Sequence, residues 1–533
     1  MIIDGRELSK NTDIEADICI MGGGVAGITL ANELKDSFAN IVLIEAGDEQ
    51  YSVESQALYA ANSKSATYPD PQHSRLRLLG GSSNHWGNNT SPLSKIDFEK
   101  REWIPNSGWP ISLEDIQDYY TKAADYCGTS SDGYQTPYWT KRFNQPNLTR
   151  DSKNIEIGIA KAANPPTRFY ASYGELISQH KNITIYKNTN VTDLEFDKQS
   201  RRVTSAKLNT YNEYKHTITA KIFVMCFGGI ENARMLLHFN NQSENLLGNQ
   251  FDNVGRYFMD HTTVRAAQLF TNKLEDFPLF EGQYLAQRYI KSFFQLTERC
   301  LAENQTTNLR IPLVKANQYE LSDGISSFHL MKQALAKNSL PNNLSTHLSN
   351  FVMDFDLIVE ALARTSFDSR LFDHANDFAG FTLPMMVEQT PHRNNQIKLS
   401  KVRDKLGIPK IDIIWEFKQE DKNRVWKSLE IFAREVGGLS IGRLKLLKER
   451  EKRIFGDQMG FGSHHMGTTR MSETEEQGVV DKNLQVFGTD NMYISGSSVF
   501  ATGGHVPPTL TIAALSIRLA DFLKKEKRSQ QNG

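Results

Sequence analysis

The chain has 533 residues, of which 39% are hydrophobic and 23% are charged, a composition that is typical of globular proteins and excludes a mainly disordered chain. Its 61 Lys and Arg residues against 62 Asp and Glu residues give a formal net charge of −1. This balance argues against a general nucleic-acid binder, which usually carries a basic excess.

Signals for export or membrane insertion are not found. The first residues, MIIDGRELSKNTDIEAD, have no basic stretch followed by an apolar one, so we predict no secretory signal and a cytoplasmic protein. No uncharged apolar run reaches the length of about 18 residues that a membrane span needs. The four cysteines form no CxxC pair, and we expect reduced, mostly buried thiols.

The first strong pattern is a strand, a glycine turn, a helix and a second strand. Residues 17–21 (DICIM) form a short apolar run that is typical of a buried parallel strand. GGGVAG follows at 22–27, then apolar residues at helical spacing, then a second apolar run at 41–44. This order predicts the phosphate-binding turn of a dinucleotide-binding domain.

Each glycine of this turn has a mechanical role in such a site. Gly22 allows the tight turn, Gly24 lets the backbone approach a pyrophosphate, and Gly27 lets the helix pack close to the strand. The phosphates would lie at the helix N-terminus, where free N–H groups favour anions. Glu45, directly after the second strand, is placed to bind a ribose hydroxyl.

A second glycine-rich segment favours FAD over NAD as the dinucleotide. Residues 75–89 read RLRLLGGSSNHWGNN and predict another anion cradle far from the first one. A single dinucleotide needs both segments only if it is long and extended, as FAD is. The residues of this segment that we expect to bind the cofactor are Gly80, Gly81, Ser82, Asn84, His85 and Trp86.

Later segments return to the nucleotide-binding pattern, so the domain is expected to be discontinuous. An alternating strand over 183–191 ends at Val191, a candidate for the adenine side. A buried strand over 222–226 leads into FGGIENAR and a helix. Between 262 and 451 glycine becomes rare and long mixed helical stretches are predicted, with two strands at 396–399 and 411–415 that suggest a separate sheet.

The C-terminal block is again rich in glycine. It contains FGSHHMGTTRM at 461–471, a strand over 491–495 that is followed by Gly496, and TGGHVPPTLT at 502–511. The last loop opens a helix over 512–523, which predicts an anion or flavin-edge platform that includes Pro508 and Thr509. We expect the polar tail from 524 to be frayed.

Taken as a set and in this order, the motifs resemble those of the glucose–methanol–choline (GMC) flavoprotein oxidoreductases. The set comprises the glycine turn, GGSS, GGIENARMLL, NVGRYFMDH, the HxxGT element at His464 and the PTLT helix. GGSSNHW, VGRYFMDH and HHMGTTRM are most similar to the branch of pyranose oxidases, fructose dehydrogenases and gluconate-type dehydrogenases.

The resemblance implies an α/β fold, α+β overall, with a discontinuous Rossmann-like FAD-binding domain and a substrate domain whose antiparallel sheet covers the flavin. The expected FAD-binding parts are 1–100, 181–261 and 452–533, the last with the catalytic loop and the C-terminal helix. Residues 101–180 are expected to be mixed, and 262–451 to form the substrate domain.

The resemblance also implies hydride transfer from a carbinol carbon to flavin N5, with a histidine as general base. His464 matches that histidine. The position where the family places a second polar residue is Pro507 here, so His505, two residues earlier, is our second catalytic candidate. His85 matches a histidine that some pyranose oxidases join covalently to the flavin.

These residues favour an alcohol or sugar dehydrogenase or oxidase. Pro507 keeps open an alternative with non-standard chemistry of the lyase or decarboxylase type. We interpret His73, His261 and His392 as structural or exposed, and we expect no metal site, since the histidine groups lack partners at metal spacing. The expected partners are a small alcohol or sugar and an acceptor other than oxygen; the oligomeric state and a separate acceptor protein are left open.

Overall fold

The computed structural model of the chain describes residues 1–65, 67–130, 132–212, 214–271, 273–336, 339, 344–366 and 378–532. The strands in these residues are β1 Ile2–Asp4, β2 Asp13–Met21, β3 Ile41–Ile44, β4 Ala61–Ser63, β5 Ile155–Ala163, β6 Ile183–Lys187, β7 Asn190–Asp197, β8 Arg202–Asn209, β9 His216–Met225, β10 Thr262–Val264, β11 Ala267–Phe270, β12 Gln283–Leu285, β13 Arg288–Leu296, β14 Leu309–Arg310, β15 Val314–Ala316, β16 Gly380–Thr382, β17 Met385–Val387, β18 Gln396–Arg403, β19 Pro409–Ile414, β20 Arg443–Leu446, β21 Gly460–Phe461 and β22 Met492–Ile494.

The α-helices lie mostly between strands of different sheets. Their bounds are α1 Val25–Leu34, α2 Val53–Gln56, α3 Lys95–Phe98, α4 Gln117–Tyr126, α5 Thr136–Arg142, α6 Glu175–Ser178, α7 Gly228–Asn240, α8 Pro278–Glu281, α9 Glu298–Asn304, α10 Gln318–Leu321, α11 Asp323–Ala336, α12 Leu344–Met353, α13 Phe355–Ser366, α14 Gln419–Gly438, α15 Glu451–Ile454 and α16 Thr509–Asn532. None of the described helices is both long enough and apolar enough to cross a bilayer.

The largest sheet has the order β1-β6-β3-β2-β9-β8-β7, with β22 also paired to β9. Its central strands are parallel, and β7 and β8 form an antiparallel extension. All four residues of β3 are buried, as expected for a parallel strand that is covered on both faces. The fold class is α/β, as the glycine turn between β2 and α1 predicted.

Smaller sheets hold the strands of the second half of the chain. β18 and β19 are antiparallel, which confirms the two strands expected near 396–399 and 411–415, and β4 adds to β19 in parallel. β13 pairs with β5 along nine residues. This long strand lies where the sequence suggested mainly helix, because its polar residues alternate too weakly with apolar ones to reveal a half-buried strand.

Two large apolar cores correspond to these two groups of sheets. One core joins the largest sheet with α1 and α16 and includes Ile20, Leu43 and Leu515. The other includes Val264, Phe294 and Phe432, from the sheets of the second half and α14. The division into domains proposed from the sequence stays a prediction.

Two local predictions need correction. The strand expected over 183–191 is two strands, β6 and β7, because Asn188 has a φ of +54° and breaks the extended run. The tail expected to fray at 524 continues α16 to Asn532, and Lys527 donates a hydrogen bond to the Ser37 carbonyl from it. All four cysteines are buried and free, as expected.

Candidate active site

A cavity of about 710 Å³ opens at the carboxyl ends of β2, β3 and β9, the end at which open parallel sheets bind ligands. Its volume is in the usual range of small-molecule and cofactor sites. The predicted residues that line it are Gly22, Gly24, Glu45, Gly81, Ser82, His85, Trp86, Val191, His464, Gly496, Pro508 and Thr509. The predicted residues outside its lining are Gly27, Gly80, Asn84 and His505.

The glycine turn after β2 leaves room for a ligand beside a helix. Gly22 has a φ of +117°, which glycine adopts readily. A Cβ on Gly24 would find no protein atom within 4 Å, so this position faces open cavity. Gly24 is also the N-cap of α1 and offers the first turn no side-chain hydrogen bond. The free N–H groups there can bind an anion such as a pyrophosphate.

Gly27 acts through packing instead. A Cβ at this position would collide with the carbonyl oxygen of Gly22. Only glycine therefore lets α1 approach the end of β2 so closely, which is the role expected for the third glycine of the motif.

Glu45, at the end of β3, accepts hydrogen bonds from two different turns. Its Oε2 accepts a hydrogen bond from the Gly23 N–H at 2.8 Å, and its Oε1 accepts one from the Gly47 N–H at 2.8 Å. The carboxylate thus holds the glycine turn in place while it lines the cavity. Binding of a ribose hydroxyl by Glu45 stays a prediction.

The GGSS loop is hydrogen-bonded to the glycine turn. The Gly80 N–H donates to the Gly23 carbonyl at 2.8 Å. Asn84 does not line the cavity, because its Nδ2 donates inward to the carbonyl oxygens of Leu79 and Gly81. Asn84 therefore braces the loop that presents Gly81, Ser82 and His85 to the cavity.

His464 lies on the cavity wall and contacts a second histidine. Its Nδ1 is 2.9 Å from Nδ1 of His261, which is completely buried. On the other side, Nε2 of His261 lies 3.1 Å from the Gly503 carbonyl oxygen and 2.9 Å from that of Gly504. Carbonyl oxygens only accept hydrogen bonds, so Nε2 of His261 carries a hydrogen.

These contacts determine the protonation of both rings. Burial lowers the pKa of His261 to about 4, so its ring is neutral at neutral pH and its Nδ1 has a lone pair. Nδ1 of His464 must then donate, which leaves the lone pair of His464 on Nε2. Burial, followed by the neighbouring His261 and His465, lowers the pKa of His464 well below its ordinary value. The ring of His464 is therefore neutral at neutral pH, with its lone pair on Nε2.

A buried carboxyl group positions the backbone of His464. Oδ1 of Asp260 accepts a hydrogen bond from the His464 N–H at 2.7 Å, and its Oδ2 accepts one from the Tyr68 hydroxyl at 2.9 Å. Burial raises the pKa of Asp260 to about 7. Consecutive residues, Asp260 and His261, thus hold the backbone and the ring of His464.

The interpretation of His261 as structural or exposed therefore misses its contact with His464. The motif NVGRYFMDH ends at this residue, but it pointed only to the resemblance and not to a partner. The other two histidines match the expectation. His392 is 3.0 Å from Asp421 through Nε2 and Oδ2, and His73 is exposed at the edge of the cavity.

The second catalytic candidate lies behind the cavity wall. His505 is 1% exposed, and its Nε2 is 2.8 Å from Oε1 of Gln295. Burial lowers the pKa of its ring to about 3. Pro507 lines the cavity in its place, so His505 acts on the cavity only through its neighbours, and a catalytic role for it stays a prediction.

An arginine that the sequence did not reveal also lines the cavity. Arg310 lies on the two-residue strand β14 and shares the cavity wall with His464 and Met386. No motif surrounds it, so nothing in the sequence distinguishes it from other arginines of the substrate region.

The residues present fit a flavin dinucleotide. The cavity borders the starts of α1, α7 and α16, and helix N-termini favour phosphate groups and other anions. A Cβ at Gly228 would also find no protein atom within 4 Å, so the start of α7 has the same open space as the start of α1. Within the described residues, no group of three or more His, Cys, Asp and Glu side chains could hold a metal ion.

Comparisons with known proteins agree with this fit. A family model described as GMC oxidoreductase matches residues 391–516. The fructose dehydrogenase large subunit of Gluconobacter japonicus is 22% identical, over 96% of this chain and 98% of its own. The 2-methyl-1,2-propanediol dehydrogenase of Mycolicibacterium austroafricanum is 21% identical, over 96% of this chain and 95% of its own.

A solved structure extends the likeness to the fold. A variant of formate oxidase from Aspergillus oryzae has a TM-score of 0.57 with this chain at 15% identity, over 98% of this chain and 100% of its own. The segment matched by the family model contains His464, Gly496 and Thr509, which all line the cavity. Residues 391–516 therefore match the GMC oxidoreductase family, the chain is similar to such enzymes over nearly its full length, and its cofactor is FAD.

Proposed function

We propose that this enzyme oxidises a carbinol carbon of a sugar, glycoside or other alcohol, with His464 as the general base. The observation that carries the proposal is the His261–His464 pair, which leaves a neutral imidazole nitrogen at the cavity. Departure of a hydride leaves positive charge on the carbinol carbon, so the hydroxyl proton must leave with it. A neutral histidine is suited to accept that proton.

In this proposal, each part of FAD is bound by a different element of the cavity. The turn at Gly22 and Gly24 and the start of α1 would hold the pyrophosphate, and Glu45 would bind the ribose. Val191 would lie on the adenine side, whereas His85 and the start of α16 would contact the flavin. FAD, when bound, supplies the hydride acceptor at flavin N5.

The proton goes from the substrate hydroxyl to Nε2 of His464. The Nδ1–H of His464 continues to donate to His261, and this hydrogen bond keeps the accepting lone pair of His464 on Nε2. The carbonyl oxygens of Gly503 and Gly504 keep His261 in the tautomer that accepts. His261 is thus a positioning residue, and His464 is the residue that touches the substrate.

The names of the relatives support an alcohol substrate, since fructose and 2-methyl-1,2-propanediol both carry carbinol groups. Pro507 on the cavity wall is the feature that keeps the alternative chemistry, of the lyase or decarboxylase type, as a second candidate. For the acceptor we expect a molecule other than oxygen, which predicts little peroxide during turnover.

The test is anaerobic bleaching of the oxidised flavin by a panel of sugars, polyols, glycosides and hydroxy acids. We expect at least one compound to bleach the wild-type enzyme and the His392→Ala control, and His464→Ala to respond far more slowly. His392 is a fair control because its ring contacts Asp421 and does not line the cavity. If no alcohol of the panel bleaches the flavin, alcohol oxidation is wrong for this chain.

We also expect acid precipitation to leave most of the flavin in the supernatant. His85 lines the cavity, but lining it is not sufficient for a covalent bond, which also requires the ring to meet the flavin in one particular geometry. A yellow pellet that becomes colourless in His85→Ala would show that the flavin is attached to this residue.

A further inference from the structure

The wall of the cavity contains a buried positive charge. Arg310 is only 9% exposed and lines the same cavity as His464. Its guanidinium lies over the ring of Phe293, with a distance of 4.8 Å to the ring centroid. A stacked aromatic ring attracts a cation, but it offers no oxygen to the N–H groups of the guanidinium.

Arg310 has no polar partner among the described residues. No described side chain or carbonyl accepts a hydrogen bond from its guanidinium, and its Nε is buried without any partner. Buried charges are normally paired, because an isolated one is costly to remove from water. The unused donors of Arg310 therefore point to a ligand that brings the missing negative charge.

The other buried arginines show what is normal in this molecule, since each has a polar partner. Arg75 and Arg234 pair with Glu231, Arg101 pairs with Glu388, and Arg470 donates to the Asn106 carbonyl. Of these side chains, only that of Arg310 combines burial, a place on the cavity wall and no polar partner.

A second cation strengthens the positive field on the same side. Lys291 lies two residues before Phe293 on β13, so both side chains project from the same face of the strand. Lys291 has no ion pair with a described residue, and burial followed by the charge of Arg310 lowers its pKa. Burial lowers the pKa of Arg310 to about 10, so the guanidinium remains charged at neutral pH.

We propose that Arg310 binds a carboxylate group of the substrate, so that the enzyme oxidises a hydroxy acid, such as a sugar acid, to the corresponding oxo acid. This inference rests on the proposed function and names its substrate class. One guanidinium matches one carboxylate in charge and in the geometry of its two parallel donors. The carboxylate itself is unchanged, while the carbinol loses its hydroxyl proton to His464 and its hydride to the flavin.

A neutral substrate would be disfavoured by the same residue. It would fill the cavity without pairing the guanidinium, and the buried charge would lose water and gain nothing. Discrimination therefore comes from the penalty on neutral alcohols as well as from the attraction to acids. Loss of one partner of a buried charge pair corresponds to at least about thirtyfold in affinity.

The first measurement uses matched pairs of substrates with the holoenzyme under anaerobic conditions. Gluconate is compared with glucitol, and glycolate with ethylene glycol, in the wild type and in Arg310→Gln, Arg310→Lys and Arg265→Gln. Arg265 is exposed and outside the cavity lining, so it is the control. We expect a preference for the acid in the wild type and the control, a loss of at least about thirtyfold in Arg310→Gln, mainly through KM, and partial retention in Arg310→Lys.

The second measurement does not need turnover. Acetate, which has no carbinol, should bind the oxidised holoenzyme and perturb the flavin absorption spectrum, and Arg310→Gln should abolish this binding. If acetate binds the wild type and Arg310→Gln equally, or binds neither, the anion site is wrong.

If glucitol reduces the flavin as efficiently as gluconate, the hydroxy-acid assignment is wrong and the proposed alcohol oxidation stands. If acetate binding depends on Arg310 but no hydroxy compound reduces the flavin, the anion site stands and the proposed function fails.

Discussion

The two sides of the cavity are built in different ways. The side that we propose holds the cofactor, the cofactor side, consists of two backbone turns, at Gly22–Gly24 and at Gly80–Gly81. Residues within each turn are neighbours in the chain, and a hydrogen bond from the Gly80 N–H to the Gly23 carbonyl oxygen joins the two turns. The side that we propose binds the substrate, the substrate side, consists of side chains from distant segments. His261 and His464 are 203 residues apart in the chain and touch through their rings, and Arg310 comes from a third segment.

This difference predicts which substitutions each side of the cavity tolerates. A backbone cradle depends on the absence of side chains, so adding one should remove the ligand. A wall of side chains depends on particular donors and acceptors, so removing one should change rates or selectivity while the cofactor stays bound.

The largest effect is expected from a side chain in the cradle. Gly24→Val should abolish FAD binding while the protein still folds, because the new side chain enters open cavity and meets no protein atom within 4 Å. Gly27→Val should damage the fold itself, because its Cβ collides with the Gly22 carbonyl oxygen. FAD content per chain and thermal unfolding separate the two outcomes.

The matched control for these variants is Gly437→Val. Gly437 is an exposed residue in the last turn of α14, and a Cβ there also meets no protein atom within 4 Å. It should keep both FAD and the unfolding temperature. Full FAD content in Gly24→Val would contradict the place assigned to the pyrophosphate.

On the substrate side, the largest effect is expected from the base. His464→Ala should keep FAD, because the cradle lies in other segments, and should slow flavin reduction by about a hundredfold or more. The measurement is the anaerobic reduction rate in a stopped-flow instrument, with His392→Ala as the control. A wild-type rate for His464→Ala between pH 6 and 9 would show that another group accepts the proton.

A smaller loss of flavin-reduction rate is expected when His261, the hydrogen-bond partner of His464, is removed. His261→Ala removes the acceptor that fixes the tautomer of His464, and the loss of one neutral hydrogen bond corresponds to about tenfold in rate. The acid limb of the pH–rate profile should also move to higher pH, because His261 is one of the groups that lower the pKa of His464. A slower rate with an unmoved acid limb would indicate a purely structural role.

The pH profile of the wild type follows from the same pair. His464 must be neutral to accept a proton, and its pKa lies below its ordinary value of 6.5 because of burial and the neighbouring His261 and His465. The reduction rate should therefore be constant from pH 7 to 9 and decline only below 6.5. A rate that still rises between pH 7 and 9 would mean that the base has a raised pKa.

The smallest effect is expected from His505→Ala, at most about tenfold on the reduction rate. The ring contacts Gln295 behind the wall, so its loss reaches the substrate only through neighbours, and the effects of His505→Ala and His464→Ala should not simply multiply if both act on one hydroxyl. A loss as large as that of His464→Ala would return the catalytic role to His505.

The residues of the cofactor side could be predicted from local sequence patterns alone. The strand, glycine turn, helix and Glu45 lie within one short stretch, and each feature depends on backbone conformation that local residues specify. The same holds for the GGSS loop and for the start of α16. Residues that work by packing or bracing, such as Gly27 and Asn84, were found by the same motifs, although the motifs do not show which of them touch a ligand.

The contacts of the substrate side could not be predicted from the sequence, because they join segments that are far apart in the chain. The tautomer of His464 depends on His261 and on the carbonyl oxygens of Gly503 and Gly504, and no local pattern links these segments. His505 and Pro507 are two residues apart, yet one is buried behind the wall and the other lines it. Arg310 has significance only because folding buries it without a polar partner among the described residues, and burial is a property of the assembled cores rather than of neighbouring residues in the chain.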